Sequence, residues 1–178
     1  MAEKQGFDFA IIPSNTTSYV LRVQPGQEIV GALTWFAKRA RMRAGFVQTC
    51  VGSVSEAVIR MASATADTDQ ANHIKRVEGC HEIVSLVGTL AVDEDLSYKQ
   101  HLHVCLSDKD GNTIGGHVIS LKVFTTAEIV LGECKQLVFS RPHDPQTGYG
   151  ELHVGARDPD GLDSTAHAPP SPKKPKEA

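Results

Sequence analysis

The sequence predicts an α+β domain that combines one long helix with a largely antiparallel sheet of about seven strands. Short apolar or alternating runs, each ended by a turn signal, recur along most of the chain. One segment, residues 27–44, instead carries apolar side chains at helical spacing. Strands that outnumber the helices and do not alternate with them are typical of the α+β class.

The composition describes an ordinary globular chain. It has 178 residues, of which 40% are hydrophobic, and a formal net charge of −3. This length allows one domain with a sizeable core and additional tails. A slightly acidic chain has no overall positive field to attract nucleic acid, so any nucleic-acid contact must be local.

The expected location is the cytoplasm, or the nucleus if the source is eukaryotic. The first residues lack the apolar run of a signal peptide, and no segment approaches the roughly 20 apolar residues of a membrane span. The four cysteines include no C-x-x-C pair, which is typical of reduced thiols in an intracellular protein. We therefore expect no membrane partner.

The first elements of the predicted domain are a strand and the helix. The strand begins at Ser18, alternates polar and apolar residues, and ends at Pro25-Gly26. The helix is predicted over residues 27–44, and Gly45 is its expected C-cap.

Several β-like runs follow the helix. Gly52-Ser53 separates the first two runs. Residues 82–92 are apolar on both faces, which predicts a central strand covered on both sides, and Gly88 within it indicates a bulge or a close approach by another backbone. Beyond Leu121, further strands are predicted over residues 126–131, 137–140 and 150–154.

We predict three regions along the chain: an N-terminal arm of residues 1–17, the domain itself over 18–154, and a disordered tail of 155–178. The tail is rich in proline, small and charged residues and has little to bury. Its basic residues, Lys173, Lys174 and Lys176, are the candidates for contact with a nucleic-acid backbone. Three lysines make a small patch, and a solubilising tail is the alternative interpretation.

Three histidines and a cysteine concentrate in one predicted hairpin over residues 100–118. Because side chains alternate along a strand, His101, His103 and Cys105 share one face of the first strand. His117 lies on the return strand. Imidazole and thiolate are zinc ligands, so the pattern raises the hypothesis of a metal site, with a polar strand face as the alternative.

The position of His117 depends on the turn. If Lys109-Asp110-Gly111 is a three-residue loop with Gly111 in the left-handed conformation, His103 faces His117 and the three imidazoles converge. A two-residue turn would instead split the cluster, because a one-residue slip moves a side chain to the other face.

Several short motifs, in this order, resemble the plants-and-prokaryotes-conserved (PPC) domain family. The similarity extends from about Tyr19 to Val154. The motifs are Leu21-Arg22 with Pro25-Gly26 and Glu28, Glu82-Ile83-Val84-Ser85-Leu86 with Gly88-Thr89, His101-Leu102-His103, Gly115-Gly116-His117-Val118, and R-P-H-D-P-Q-T-G-Y-G-E-L over residues 141–152.

The resemblance implies a mixed, mostly antiparallel sheet in a domain that assembles as a homotrimer. It also implies that His101, His103 and His117 form a metal site, with zinc as the expected ion, near the subunit interface. Plant members use the domain for self-association and for contacts with transcription factors, while their AT-hooks hold the DNA.

This sequence departs from the plant members in two places. It contains no R-G-R-P AT-hook, which removes the arginine that inserts into the minor groove. The plant segment G-R-F-E-I reads G-C-H-E-I here, so Glu82 and Ile83 are the matching candidates for partner contact. The ending of the similar region is closer to the stand-alone members of the family.

Two classes of function follow. The first is a stand-alone, trimeric binding module with a regulatory, DNA-associated role, whose partners are other copies of itself and DNA or DNA-bound proteins. The second is a metal-dependent enzyme, or a protein that binds a small anion or metabolite, using the three-histidine site. We prefer the first because the sequence offers no recognisable nucleophile or phosphate-binding loop.

Overall fold

The computed structural model describes residues 12–62, 73–93 and 95–157. The elements in chain order are β1 (Thr16–Val23), α1 (Ile29–Ala40), β2 (Gly45–Arg60), β3 (Ile74–Val92), β4 (Tyr98–Ser107), β5 (Thr113–Cys134), β6 (Leu137–Ser140) and β7 (His153–Ala156). The predicted α+β class, with a mostly antiparallel sheet and one main helix, is confirmed.

The strands divide between two sheets. Five of them form one sheet in the order β1-β5-β2-β3-β4. β4 also pairs with β5, so the strands β5, β2, β3 and β4 form a closed ring of pairings. β6 and β7 form a separate two-stranded sheet. All ladders between the described strands are antiparallel, so they do not show the mixed character that the family resemblance implies.

Two predicted strand breaks are wrong. β2 continues through Gly52-Ser53, and β5 is a single strand of 22 residues that runs past Leu121 and Thr126 to Cys134. Gly52 has a φ of +139°, and the register of β2 against β5 shifts between Gly52 and Val54. Such an irregularity lets a long strand bend without ending, which a turn signal in the sequence does not distinguish from a break.

Helix α1 is shorter than predicted. Its N-cap is Glu28, whose carboxylate accepts the backbone N–H groups of Val30 and Gly31. The predicted C-cap at Gly45 is wrong, because Arg41 adopts the left-handed conformation (φ 51°) and Gly45 already belongs to β2. The helix packs on the sheet through fully buried apolar side chains: Ile29, Leu33 and Ala37.

The central strand β3 is covered on one face only within this chain. Its buried side chains include Ile83, Leu86 and Leu90. Val84 and Val87 are 57% and 51% exposed, so the prediction of a strand covered on both sides is wrong for the single chain. An apolar face of this kind is a candidate contact surface.

Several predicted features fall at or beyond the limits of the described residues. β1 begins at Thr16 and β7 ends at Ala156, each two residues outside the predicted domain of 18–154. Residues 1–11 of the predicted arm and 158–178 of the predicted tail, with Lys173, Lys174 and Lys176, lie outside the described ranges. Within those ranges, no helix is long and apolar enough to cross a membrane.

Candidate metal centre and adjoining cavity

The hairpin between β4 and β5 has the register that brings the histidines together. Cα pairing places His103 opposite His117 and Ser107 opposite Thr113. The loop is closed by a hydrogen bond from the Asp108 N–H to the Asn112 carbonyl (3.0 Å). Gly111 has a φ of +81°, so the three-residue loop with a left-handed glycine is confirmed.

The three imidazoles converge on one point. The ring centroids of His101 lie 5.1 Å from those of both His103 and His117, and the remaining pair is 5.5 Å apart. One ligand nitrogen from each ring lies within 4.8 Å of the other two. The Nε2 atoms of His101 and His103 are 3.1 Å apart.

This geometry fits a divalent transition metal. Ligand nitrogens about 2.0–2.1 Å from a tetrahedral zinc ion are about 3.3 Å from one another, close to the separation of the His101 and His103 nitrogens. The buried Nδ1 atom of His117 has no hydrogen-bond partner among the described residues. A metal would satisfy a ring nitrogen that lacks a protein partner.

The electrostatic environment favours neutral imidazoles, which is the form that binds metal. Burial lowers the pKa of His117 to about 4, and the positive charge of Arg60 acts in the same direction. Burial and the charge of Arg141 also lower the pKa of His101. At neutral pH both rings therefore carry a lone pair for coordination.

Cys105 does not join the cluster. It lies two residues beyond His103 on the same strand, opposite Gly115, and is not among the residues whose ligand atoms converge. From the sequence, Cys105 was a further candidate ligand because it shares a strand face with His101 and His103. The cluster in the described part of the chain therefore consists of three histidines.

The predicted partner-binding pair is split by the fold. Glu82 is exposed on β3, whereas the side chain of Ile83 is buried in the core. The contact of this pair with a partner stays a prediction, and in the folded chain Glu82 is the member of the pair that a partner could reach. Side chains alternate along a strand, so adjacent residues do not share a surface.

An open cavity of about 480 Å³ adjoins the histidine cluster. It is lined by Arg60, Asp93, Lys99, Gln100, His101, His117, Arg141, His143, Tyr149, Gly150 and Glu151. Three basic side chains therefore face the same space as two acidic side chains and two of the converging histidines. The sequence did not indicate this set, because its members come from the end of β2, the β3–β4 connection, strands β4 and β5, and the segment between β6 and β7.

Arg141 is fixed in the cavity wall by hydrogen bonds. Its terminal nitrogens donate to the Gly150 carbonyl (3.2 Å) and to the Thr89 hydroxyl oxygen (2.8 Å). Its backbone N–H donates to a carboxylate oxygen of Asp93 (2.9 Å). Arg141 belongs to the R-P-H-D-P motif. That motif is the one feature of the sequence that could have indicated a role for Arg141 in a binding site.

Metal-free protein is expected to lose stability as the pH falls from 7 to 4. His117 has an ordinary pKa of 6.5 and a pKa of about 4 in the fold, so the unfolded state binds more protons in this range. We expect a loss of about 1–2 kcal/mol, because one pKa unit corresponds to about 1.4 kcal/mol and partial solvent exposure screens some of it. Urea unfolding in the presence of a chelator measures this loss.

The control for this titration is His117→Asn, which removes the group and keeps a polar side chain. Carboxylates titrate in both proteins, so the difference between their two pH profiles isolates His117. Identical pH profiles for the two proteins would contradict the assignment.

The fold and the site define a known class of protein. The family model of the Plants and Prokaryotes Conserved (PCC) domain matches residues 12–135, and the chain belongs to this family. The resemblance found in the sequence is thereby confirmed.

Curated relatives match most of the chain. The bifunctional protein GlmU of Synechococcus sp. (strain JA-3-3Ab) is 39% identical over 158 residues, which are 88% of this chain and 22% of that protein. The chain thus spans about a fifth of the length of the curated relatives that it matches.

Two solved structures are similar over most of the chain. A hypothetical protein from Salmonella cholerae-suis (Salmonella enterica) is 35% identical with a TM-score of 0.72, covering 82% of this chain and 98% of that one. A metal-containing protein from Archaeoglobus fulgidus is 25% identical with a TM-score of 0.69, covering 82% and 99%.

Proposed function

We propose that the chain is a metal-dependent binding domain in which His101, His103 and His117 hold a zinc-class ion. The observation that carries this proposal is the convergence of three ring nitrogens within 4.8 Å across the β4–β5 pair. Three imidazoles supply three of the four positions of a tetrahedral zinc ion and leave the fourth for a ligand. The similarity to a metal-containing archaeal protein supports the proposal.

Metal analysis tests the proposal directly. Protein purified without a histidine tag is stripped with a chelator, reloaded with zinc, desalted and measured by mass spectrometry. We expect one zinc ion per chain. Protein that retains no zinc after reloading would contradict the proposed site.

The domain is further proposed to work as a homotrimer, as the family resemblance implies. β2 pairs with β3 through Phe46 and Thr89 and again through Ser53 and Glu82. The same register between these two points places Val51 opposite Val84. Val51 is 56% exposed, and Val84 and Val87 are exposed on β3. The register of β3 against β4 shifts between Ile83 and Ser85, and such an irregularity lets Val84 and Val87 lie on the same face. Exposed apolar side chains on one face of a sheet are a typical protein contact surface.

Substitution of this apolar face is expected to dissociate the trimer. A lysine at Val84 would place a charge in the interface, so we expect Val84→Lys to have the mass of one 19.2 kDa chain in analytical ultracentrifugation, against three for the parent protein. Val20→Lys is the control, because Val20 is also a valine and is even more exposed (78%), on the edge strand β1. A monomeric parent protein would contradict the trimer.

A regulatory, DNA-associated role is a second part of the proposal. Its support is the family resemblance together with the basic residues Lys173, Lys174 and Lys176. If these lysines contact phosphates, gel-shift affinity for duplex DNA should fall steeply between 50 and 200 mM salt, and their joint replacement by glutamine should flatten that dependence. Absent or salt-insensitive binding would remove DNA from the proposed function.

The cavity favours a second candidate function, namely a metal-dependent enzyme or a binder of small anions. Zinc supplies Lewis-acid chemistry when it is bound. Arg60 and Arg141 offer positive charge to a substrate in the same space, and Glu151 offers a carboxylate that can hold a proton. The charges and hydrogen-bond donors of the lining residues also limit the class of ligand that the cavity can bind.

A further inference from the structure

We infer that the cavity binds a small monocarboxylate that carries a second oxygen donor, with its carboxylate on Arg141 and Arg60 and the second oxygen directed at the histidine cluster. This inference rests on the metal site proposed above and names the ligand class of that site. It follows from the charge, the fixed geometry and the size of the cavity.

The balance of charge selects a ligand with one negative charge. Arg60, Lys99 and Arg141 line the cavity, and so do the carboxylates of Asp93 and Glu151. The cations exceed the carboxylates by one, and the two carboxylates repel a ligand that carries several negative charges. A monoanion matches the protein groups, and a metal would add further attraction.

Arg141 provides a preformed carboxylate site. One terminal nitrogen donates an N–H to the Gly150 carbonyl, and the other donates an N–H to the Thr89 hydroxyl oxygen. These two hydrogen bonds hold the plane of the guanidinium in place. Each terminal nitrogen carries a second N–H. Two N–H groups from the same guanidinium match the two oxygens of a carboxylate, which a lysine ammonium does not do.

Arg60 adds a second guanidinium to the cavity that Arg141 and two of the histidines line. It is the last residue of β2, and its Cα pairs with that of His117 on β5. Its guanidinium carbon lies over the ring of Tyr149, 5.0 Å from the ring centroid. A ligand bound by both arginines therefore lies beside the histidine cluster.

The cavity has the size of a small-molecule site, because about 480 Å³ falls within the roughly 300–1,000 Å³ that such sites occupy. A three-histidine metal site leaves a coordination position for an oxygen donor. A ligand that satisfies both arginines and this position needs a carboxylate and a neighbouring oxygen. L-Lactate has both groups, and propionate is the same acid without the hydroxyl.

Calorimetric titration of the full chain tests the inference, with L-lactate, propionate and inorganic phosphate as probes. We expect zinc-loaded protein to bind lactate about tenfold more tightly than propionate, and phosphate more weakly than either. Removal of the zinc should abolish the preference for lactate. Equal binding of lactate and propionate by zinc-loaded protein, tighter binding of phosphate, or no carboxylate binding at all would overturn the inference.

Two arginine variants and a control complete the experiment. Arg141→Gln and Arg60→Gln should each weaken carboxylate binding about tenfold while the zinc content stays at one per chain. Arg60→Gln is included because the Arg141 side chain also bonds Gly150 and Thr89. Arg22→Gln, on β1 outside the cavity lining, should bind like the parent protein. Unchanged binding by both variants would exclude the arginine site.

The same titrations separate failure of this inference from failure of the metal site. If the protein takes up no zinc, the metal site fails, yet propionate binding that both arginine variants weaken would still support the carboxylate site. If the protein holds one zinc ion and binds no carboxylate, the metal site stands and the ligand class is wrong.

Discussion

Replacing His103 by alanine is expected to lower the zinc affinity of the protein by at least about 100-fold. Loss of a residue that only orients a metal ligand typically costs 10- to 100-fold, and loss of the ligand itself should cost at least as much. His103 is exposed, so its removal should change the free energy of unfolding by no more than about 0.5 kcal/mol. Competition with a chromogenic zinc chelator measures the affinity, and chemical unfolding of the metal-free protein measures the stability.

His143→Ala is the matched control for this experiment. His143 lines the same cavity but is not one of the three converging histidines. We expect its replacement to leave the zinc affinity unchanged. Equal losses from His103→Ala and His143→Ala would mean that the histidines bind zinc nonspecifically, and no loss from His103→Ala would remove it from the ligand set.

Gly88→Ala is expected to destabilise the domain by about 3 kcal/mol or more. Gly88 has a φ of +145°, and a Cβ atom there would lie 1.9 Å from the His101 carbonyl oxygen. That oxygen belongs to the β4 backbone, which pairs with β3 and cannot move aside as a side-chain end could. The cost combines backbone strain with the displacement of a neighbouring strand.

Comparison with Gly79→Ala separates the steric cost of the Gly88→Ala substitution from the cost of backbone strain. Gly79 lies on the same strand with a φ of +92°, but a Cβ atom there would meet no heavy atom within 4 Å. We expect this variant to lose only the strain term of about 1–3 kcal/mol. Urea unfolding of both variants without metal gives the comparison. Equal destabilisation would show that the close approach of Gly88 to β4 is unimportant.

Gly88 also links the fold to the site. Its Cα pairs with that of Leu102, between His101 and His103. A displaced β4 would move both histidines relative to His117, so Gly88→Ala should also weaken zinc binding. The sequence indicated a bulge or a close backbone approach at this glycine, and the structure shows the close approach.

The arrangement of the histidines could be predicted because it depends on local rules. Alternation along a strand places His101 and His103 on one face, and a three-residue loop with a left-handed glycine sets the position of His117. The remaining alternative, a two-residue turn, differed by one residue in register. The turn formed at Asp108 and Gly111 decides between the two registers, and a few adjacent residues determine the type of that turn.

The cavity could not be predicted because it depends on long-range packing. Arg60 and Arg141 are 81 positions apart in the chain, and β2 and the segment between β6 and β7 bring them to one space. Neither residue lies in a pattern that indicates its partner. The helix end and the long strands were mispredicted for a related reason: Gly45 and Gly52 signal a stop locally, whereas Gly45 begins β2 and the pairing of β2 continues through Gly52.

X-ray absorption at the zinc edge, combined with anomalous diffraction from crystals of the zinc-loaded protein, tests the central claim most directly. We expect one zinc ion per chain, with imidazole nitrogens of His101, His103 and His117 at about 2.0–2.1 Å and a fourth position taken by a non-protein atom. A sulfur ligand at about 2.3 Å, an ion bound elsewhere, or no ion at these histidines would contradict it.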